Sequence, residues 1–210
     1  VAMFENGEGD AIEQISSQYF GHLNEYLNSF VGGGIMFLWI NQQGTSPETA
    51  ALLSNQNFRQ ALNYGFDRSA TVNAVNPGYK AYNRLVDSNF AGPDGGKFVD
   101  EYPVETVPLS GDVDKAKEYL AAAMEELGYS DVSQLPQLEL ITWDTSEQKL
   151  LLETIIDQWK QNLGLENIQL TQYVIGTAIG SFYDLSYDLF AITWETDVLP
   201  TDIMEAMVTG

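Results

Sequence analysis

The chemistry open to this chain is narrowed first by which reactive residues it has. His22 is the only histidine, and there is no cysteine. A Ser-His-Asp triad would have to run through His22, which sits in an amphipathic pattern, and no G-x-S-x-G elbow accompanies it. With no HExxH, no histidine cluster and no thiolate, a transition-metal centre has no ligand set. Gly92-Pro-Asp-Gly-Gly-Lys97 falls one residue short of G-x4-G-K, and Phe98 stands where Ser or Thr would hold magnesium, so the segment reads as a turn. Gly7-Glu-Gly9 lacks the third glycine of a dinucleotide fingerprint, since Ile12 takes its place. Asp112-Val-Asp114 and Asp94 to Asp100 lack EF-hand spacing and read as caps and solvated turns. Paired-carboxylate chemistry stays open, because 30 acids offer many pairs and single out none. No cofactor or metal is expected.

The balance of charge limits the partners. Thirty Asp and Glu oppose 9 Lys and Arg, for a formal net charge of −21 over 210 residues. Neutralising phosphates takes Lys and Arg, so nucleic acid is not an expected partner, and an anionic membrane surface is disfavoured for the same reason. At 44% hydrophobic and 12% aromatic residues the chain has enough apolar surface to fold despite its charge. No apolar run reaches the length of a membrane span, and no signal-peptide pattern is present. Val1 opens in mid-pattern, and Met207-Val-Thr-Gly210 closes on no element, so a piece of a longer protein is expected.

The elements that would position any site follow from periodicity. Ile12, Ile15, Tyr19, Leu23, Tyr26 and Phe30 predict an amphipathic helix over 10–30, broken at Gly21. Ile35 to Ile40 reads as a buried strand, and 42–56, with Pro47, as a loop. Two short helices are expected over 57–75, capped by Asn57 and Asp67, with Ala70 and Val75 facing inward. The stretch 76–111 is irregular, with four of the seven prolines. Asp112 caps a helix that Gly128 stops. Gln137 to Trp143 is a strand, Ser146 to Leu163 a helix with the stripe Leu151, Ile155, Trp159 and Leu163, and Asn167 to Tyr173 a strand. That strand–helix–strand unit is expected to be parallel, with Tyr187 to Trp194 as the last strand. The fold class is α/β.

Several segments resemble one family in its own order. Phe58-Arg-Gln-Ala-Leu-Asn-Tyr-Gly-Phe-Asp-Arg68, Asp112-Val-Asp-Lys-Ala-Lys-Glu-Tyr-Leu-Ala-Ala-Ala123, Gln158-Trp-Lys-Gln-Asn-Leu-Gly164 and Tyr187-Asp-Leu with Trp194-Glu-Thr-Asp197 resemble segments of the family 5 extracellular solute-binding proteins. Asn6-Gly-Glu-Gly-Asp10 is similar to a turn in the same proteins. These are the oligopeptide- and dipeptide-binding components of ABC importers. The resemblance implies a two-lobed flytrap receptor of the type II periplasmic-binding-protein fold. Residues 1–210 would form a single α/β lobe with a mixed sheet, most of the second lobe, lacking the other lobe and a C-terminal return segment.

It implies a binding protein rather than an enzyme, with an extended oligopeptide as ligand and the membrane subunits of an ABC permease as partners. The lobe would be monomeric and extracellular or periplasmic, lipid-anchored through a preceding segment. By the same resemblance, Asp197, three residues after Trp194, would meet the peptide's free amine, with Trp194, Glu195, Thr196 and Tyr173 around it and Tyr183 near the same edge. Val198 stands where the family has Tyr. Arg59 and Arg68 are expected to be structural, paired with acids, and Trp143 and Trp159 to be core. Two alternatives stay open: the same fold tuned to a sugar, a metal chelate or a signalling peptide, and a secreted hydrolase lobe using paired carboxylates.

Overall fold

The strongest sequence patterns become the longest elements of the computed structural model, which describes residues 1–12, 15, 19–28, 34–76 and 78–195. In chain order these are α1 (Ala2–Glu5), β1 (Gly34–Ile40), α2 (Pro47–Ser54), α3 (Gln56–Tyr64), α4 (Arg68–Val75) and α5 (Phe98–Glu101). They continue with α6 (Val113–Leu127), β2 (Leu138–Trp143), α7 (Ser146–Leu163), β3 (Ile168–Tyr173), α8 (Ile175–Tyr183) and β4 (Leu189–Glu195). Asp112 caps α6 by accepting from the Lys115 amide, and Thr145 caps α7 by accepting from that of Gln148. Both helices end on a glycine in the left-handed region, Gly128 at φ 76° and Gly164 at φ 73°, where a side chain would be strained.

The four strands form one mixed sheet in the order β1-β4-β2-β3. The β2–α7–β3 unit is parallel, as its spacing predicts, with Leu138 opposite Ile168 and Trp143 opposite Tyr173. β4 runs parallel to β2 and antiparallel to β1. Strand alternation splits the apolar side chains between two faces. Leu138, Leu140, Ile168, Leu189 and Ala191 face α2, α3, α6 and α7 and build the larger core, which contains Trp159 at 0% exposure. The Trp159 indole donates to the Leu62 carbonyl at 2.9 Å. Ile141, Phe190, Trp39, Trp143 and Ile192 line the other face beneath α8. The chain passes from β3 back over β2 to β4, reversing the direction of its first crossover. Crossovers of one hand then require α8 on the face opposite α7, which is where it lies.

Several expectations are corrected. Among the described residues of 10–30 the regular structure is a 3-10 turn at Asn24–Tyr26, not a helix; the Gly, Ser and Asn spread through that pattern hold the backbone poorly in a helix. The loop expected over 42–56 contains α2. Pro47 sits at its first position, where a missing N–H costs nothing, behind a Ser46–Thr49 capping box. Asn55, not Asn57, caps α3, and in α4 Thr71 and Val75 are buried while Ala70 is exposed. Neither Arg59 nor Arg68 pairs with an acid among the described residues. Arg59 donates to the carbonyls of Leu53 and Ser54, and Arg68 to the carbonyl and side chain of Asn63 while lying over the Phe66 ring. Backbone carbonyls at helix ends are acceptors as good as a surface carboxylate and already fixed in place.

Asp188 precedes β4 at 2% exposure. Its carboxylate accepts from the Thr45 amide and hydroxyl, both at 2.9 Å, and from the Glu139 amide at 3.0 Å. Replacing it with Ala takes the acceptor from the Glu139 amide and the Thr45 hydroxyl and leaves the Thr45 amide with the Thr49 hydroxyl alone. Asp188→Ala should therefore cost about 3 kcal/mol of unfolding free energy in urea titration. A loss below about 1 kcal/mol would mean that water takes over the carboxylate's bonds.

Candidate functional site

In parallel α/β sheets ligands gather outside the carboxyl ends of the strands. Here that edge is formed by the ends of β2, β3 and β4. Trp143 and Tyr173 close β2 and β3 as a directly opposed pair, and the Asp144 amide donates to the Tyr173 carbonyl at 2.8 Å. Both aromatic side chains are half-buried in the second-face cluster, each with part of its surface open. The antiparallel register brings Trp194 opposite Ile35 and Glu195 opposite Gly34, so the backbones of both residues end β4 at the same edge. Thr196 and Asp197 lie outside the described residues. Thus Tyr173, Trp194 and Glu195 of the expected constellation share the edge. Tyr183 belongs to the far end of α8.

The first turn of α7 flanks this edge. Gln172 donates from its amide to the Thr145 carbonyl at 3.1 Å, tying β3 to the α7 cap. Glu147 accepts from the buried Asn76, whose own oxygen accepts from the Gly78 amide at 2.9 Å. Partial burial, and then the neighbouring Glu147 carboxylate, push the Tyr79 phenol above its ordinary value. Asp144 is exposed at the strand end. The edge thus combines aromatic surface with carboxylates, a composition that suits a cation carried on an apolar frame.

Sequence reasoning passed over α8, whose glycines and lack of charged residues hide its period. Its inner side holds Ala178, buried, and Phe182, which packs edge-on to Trp39 at 5.4 Å and stacks on Tyr187 at 5.8 Å. Its outer side is apolar and exposed: Ile175 at 62%, Ile179 at 38% and Tyr183 at 73%, preceded by Val174 at 69%. Spacing of four would have found this stripe.

Other sequence candidates resolve into structure. His22 is exposed and bonded to Glu5, beside a groove of about 360 Å³ lined by Phe4, Glu5, His22, Leu23, Glu25 and Tyr26. A second depression of about 250 Å³ lies between α3 and α6, where Lys115 donates to the Tyr64 hydroxyl at 3.1 Å. That bond holds the Lys115 ammonium above its ordinary value. Neither depression includes Trp143 or Tyr173. Among the described residues, no group of His, Asp and Glu is arranged to hold a metal ion, and no helix is long and apolar enough to cross a membrane.

The glycine loop Gly92–Lys97 does cradle an anion, but one from its own chain. The Glu101 carboxylate accepts from the amides of Gly96 at 2.8 Å and Asp94 at 3.2 Å, and a side chain at Gly92 would run into it. Glu101→Ala should leave global stability within about 1 kcal/mol while speeding hydrogen exchange at the Asp94 and Gly96 amides about tenfold or more. Unchanged exchange at those amides would mean the carboxylate does not hold the loop.

The comparisons agree with this architecture. The family model described as bacterial extracellular solute-binding proteins, family 5 Middle, matches residues 1–208. The oligopeptide-binding protein OppA of Bacillus subtilis (strain 168) is 28% identical over 145 residues, covering 69% of this chain and 25% of that protein. Listeria monocytogenes OppA bound to peptide superposes with a TM-score of 0.80 at 21% identity, over 99% of this chain and 40% of that one. The pheromone receptor PrgZ gives 0.74 at 22% identity, over 94% and 37%. OppAIV of Borrelia burgdorferi gives 0.72 at 24% identity, over 97% and 38%. The chain therefore spans a quarter of the curated relative and about two fifths of these solved structures.

Proposed function

The chain belongs to the bacterial extracellular solute-binding proteins of family 5, and on that premise we propose that it is one lobe of a receptor that captures extracellular oligopeptides and delivers them to an ABC permease. The observation that carries this reading is the sheet edge itself. Trp143 and Tyr173 stand side by side there, and β4 reaches the same edge as the sequence runs on from Trp194-Glu195 into Thr196-Asp197. A peptide in extended form offers main-chain donors and acceptors to such an edge, and its amine is a cation that needs a positioned carboxylate. Asp197 is that carboxylate in this reading, Trp194 and Tyr173 wall the pocket, and Glu195 and Thr196 supply polar contacts. No step of bond making is assigned to the lobe; its work is selection and delivery. Relatives named as oligopeptide-binding proteins, one of them solved with a peptide bound, support the ligand class. In the complete receptor the lobe acts outside the cytoplasmic membrane, as a monomer held by a lipid anchor.

Native mass spectrometry of the complete receptor tests the reading, first as purified, then after unfolding to strip ligand and refolding with mixed peptides. Bound masses in the peptide range, weakened about tenfold or more by Asp197→Ala, are expected. Peptides held equally by both forms would move the amine anchor elsewhere, and binding of no peptide would sink the receptor reading.

One wall of a two-walled cleft should bind poorly, because closure is what removes the ligand from water on both sides. Residues 1–210 alone should therefore hold the same peptides at least about a hundredfold more weakly than the complete receptor in calorimetry. Equal affinity would place the whole binding energy on this lobe.

A further inference from the structure

We propose that Asn6 is a self-modifying site, converted by the neighbouring Gly7 amide into aspartate and isoaspartate, and that the conversion undocks α1 from the 19–26 segment. Asn6 is the one asparagine of the chain that precedes a glycine, and it is exposed. Gly7 has no side chain to shield its amide nitrogen, and a Cβ built on it would meet nothing within 4 Å. The glycine is there for the fold. It stands at φ 71° just past the cap of α1, where its amide donates to the Phe4 carbonyl at 3.1 Å and the Glu8 amide to the Met3 carbonyl at 2.8 Å. Those two bonds are the ones that close a helix on a left-handed glycine. The residue that ends α1 is thus the residue that leaves Asn6 open to attack.

The step exchanges ammonia for water. The Gly7 nitrogen gives its proton to hydroxide and bonds to Cγ of Asn6; the bond from Cγ to Nδ2 breaks, and ammonia leaves with a proton taken from water. Water then opens the five-membered imide, and the nitrogen recovers a proton. Cleavage at Cγ leaves aspartate; cleavage at the Asn6 main-chain carbonyl carbon leaves isoaspartate, with a methylene inserted into the main chain. Ring closure needs Cγ and the Gly7 nitrogen on the same side of the Cα–C bond. Asn6 is at φ −82° and ψ −2°, which holds them apart, so the turn must open first. α1 has only four residues and buries none of them, so opening is resisted mainly by the two bonds of the turn. Asp94-Gly95 could close the same ring, but an ionised carboxylate resists attack. The Gly95 amide is also held to the Gly92 carbonyl at 3.1 Å in the loop that Glu101 braces. Conversion of Asn6 adds a carboxylate among Glu5, Glu8 and Asp10, and isoaspartate lengthens the turn. α1 rests on 19–26 through the bond between Glu5 and His22 and the Phe4–Tyr26 ring contact at 5.5 Å. Glu5 and Phe4 lie within two residues of Asn6, so a turn that no longer closes lets both contacts go.

The test ages the complete protein in neutral and in mildly alkaline buffer, with a synthetic peptide of residues 1–12 alongside, and follows every asparagine by peptide mapping and mass spectrometry. Asn6 should convert ahead of all other asparagines, in proportion to hydroxide, and roughly tenfold to a hundredfold more slowly than in the peptide, because two exposed backbone bonds close the turn. Hydrogen exchange at the Tyr26 amide, which donates to the Leu23 carbonyl at 2.9 Å, should run about tenfold or more faster in the aged protein. Asn6→Gln, whose ring would be six-membered, should show neither change after the same treatment. Another asparagine converting first, or an intact Asn6 beside a fully converted peptide, would overturn the site. Conversion without faster exchange at Tyr26, or faster exchange in aged Asn6→Gln as well, would overturn the release of α1.

Discussion

The geometry of the lobe depends on a latch at the end of the sheet farthest from the candidate site. Asn41, just after β1, donates from its side-chain amide to the carbonyls of Leu185 at 3.0 Å and Tyr187 at 2.9 Å, and its backbone amide donates to the Asp188 carbonyl at 2.9 Å. Asp188 returns the tie through Thr45 and adds one to β2 through the Glu139 amide. A strand side chain repeats every two residues, so a slip of one would exchange the two faces of β1. The latch prevents that slip by fixing Ile40 opposite Leu189. Everything downstream is then counted out: Trp39 falls on the aromatic face, and Gly34 meets Glu195 at the far edge. Leu185 takes a positive φ of 52°, unusual for a branched residue, and the bond from Asn41 helps to offset its cost of roughly 1 kcal/mol or more.

The second dependence is on burying both faces of β2, one of the two strands with neighbours on either side. Leu138 and Leu140 have 0% exposure and Ile141 1%, which no single helix layer can achieve. The larger core supplies one cover with α3, α6 and α7. Among the described residues the other cover is α8, whose Phe182 ring packs against Trp39, Tyr187 and Phe190, so that one short helix does with large rings what the other face does with several helices. Among the described residues the outer side of α8 leaves Ile175, Ile179 and Tyr183 exposed.

How legible these features were in the sequence follows from where their causes lie. Periodicity and end signals are local, so α6, α7, β2, β3 and the parallel unit could be read directly; Asp112, Gly128 and Gly164 are the residues that mark the ends. Pro47 misled because it was weighed as a breaker, although Ser46 before it and Thr49 after it form the box that starts a helix. The pattern over 10–30 misled in the opposite sense, since apolar spacing was matched while Gly21, Asn24 and Asn28 argued against the backbone it requires. The acids that make the chain −21 suggested partners for Arg59 and Arg68, but both found carbonyls within six residues of sequence. The Asp188 latch could not be read at all, because its donors lie 143 and 49 residues away. For the site, the strand ends that carry Tyr173, Trp194 and Glu195 were visible, while their convergence on one edge depends on strand order.

That order also explains how a strongly acidic lobe can present an apolar surface. Long-range repulsion among like charges is screened within about 10 Å at ordinary ionic strength, so the acids act mainly where they stand. They stand on helices such as α6 and α7, whereas two charge-free stretches, 26–47 and 167–183, contain β1 and the β3–α8 connection. The topology sets β1 and β3 at opposite edges of the sheet and lays α8 over the aromatic face between them. Uncharged surface is thereby collected on one side of the sheet, with the exposed Asp144 at its rim.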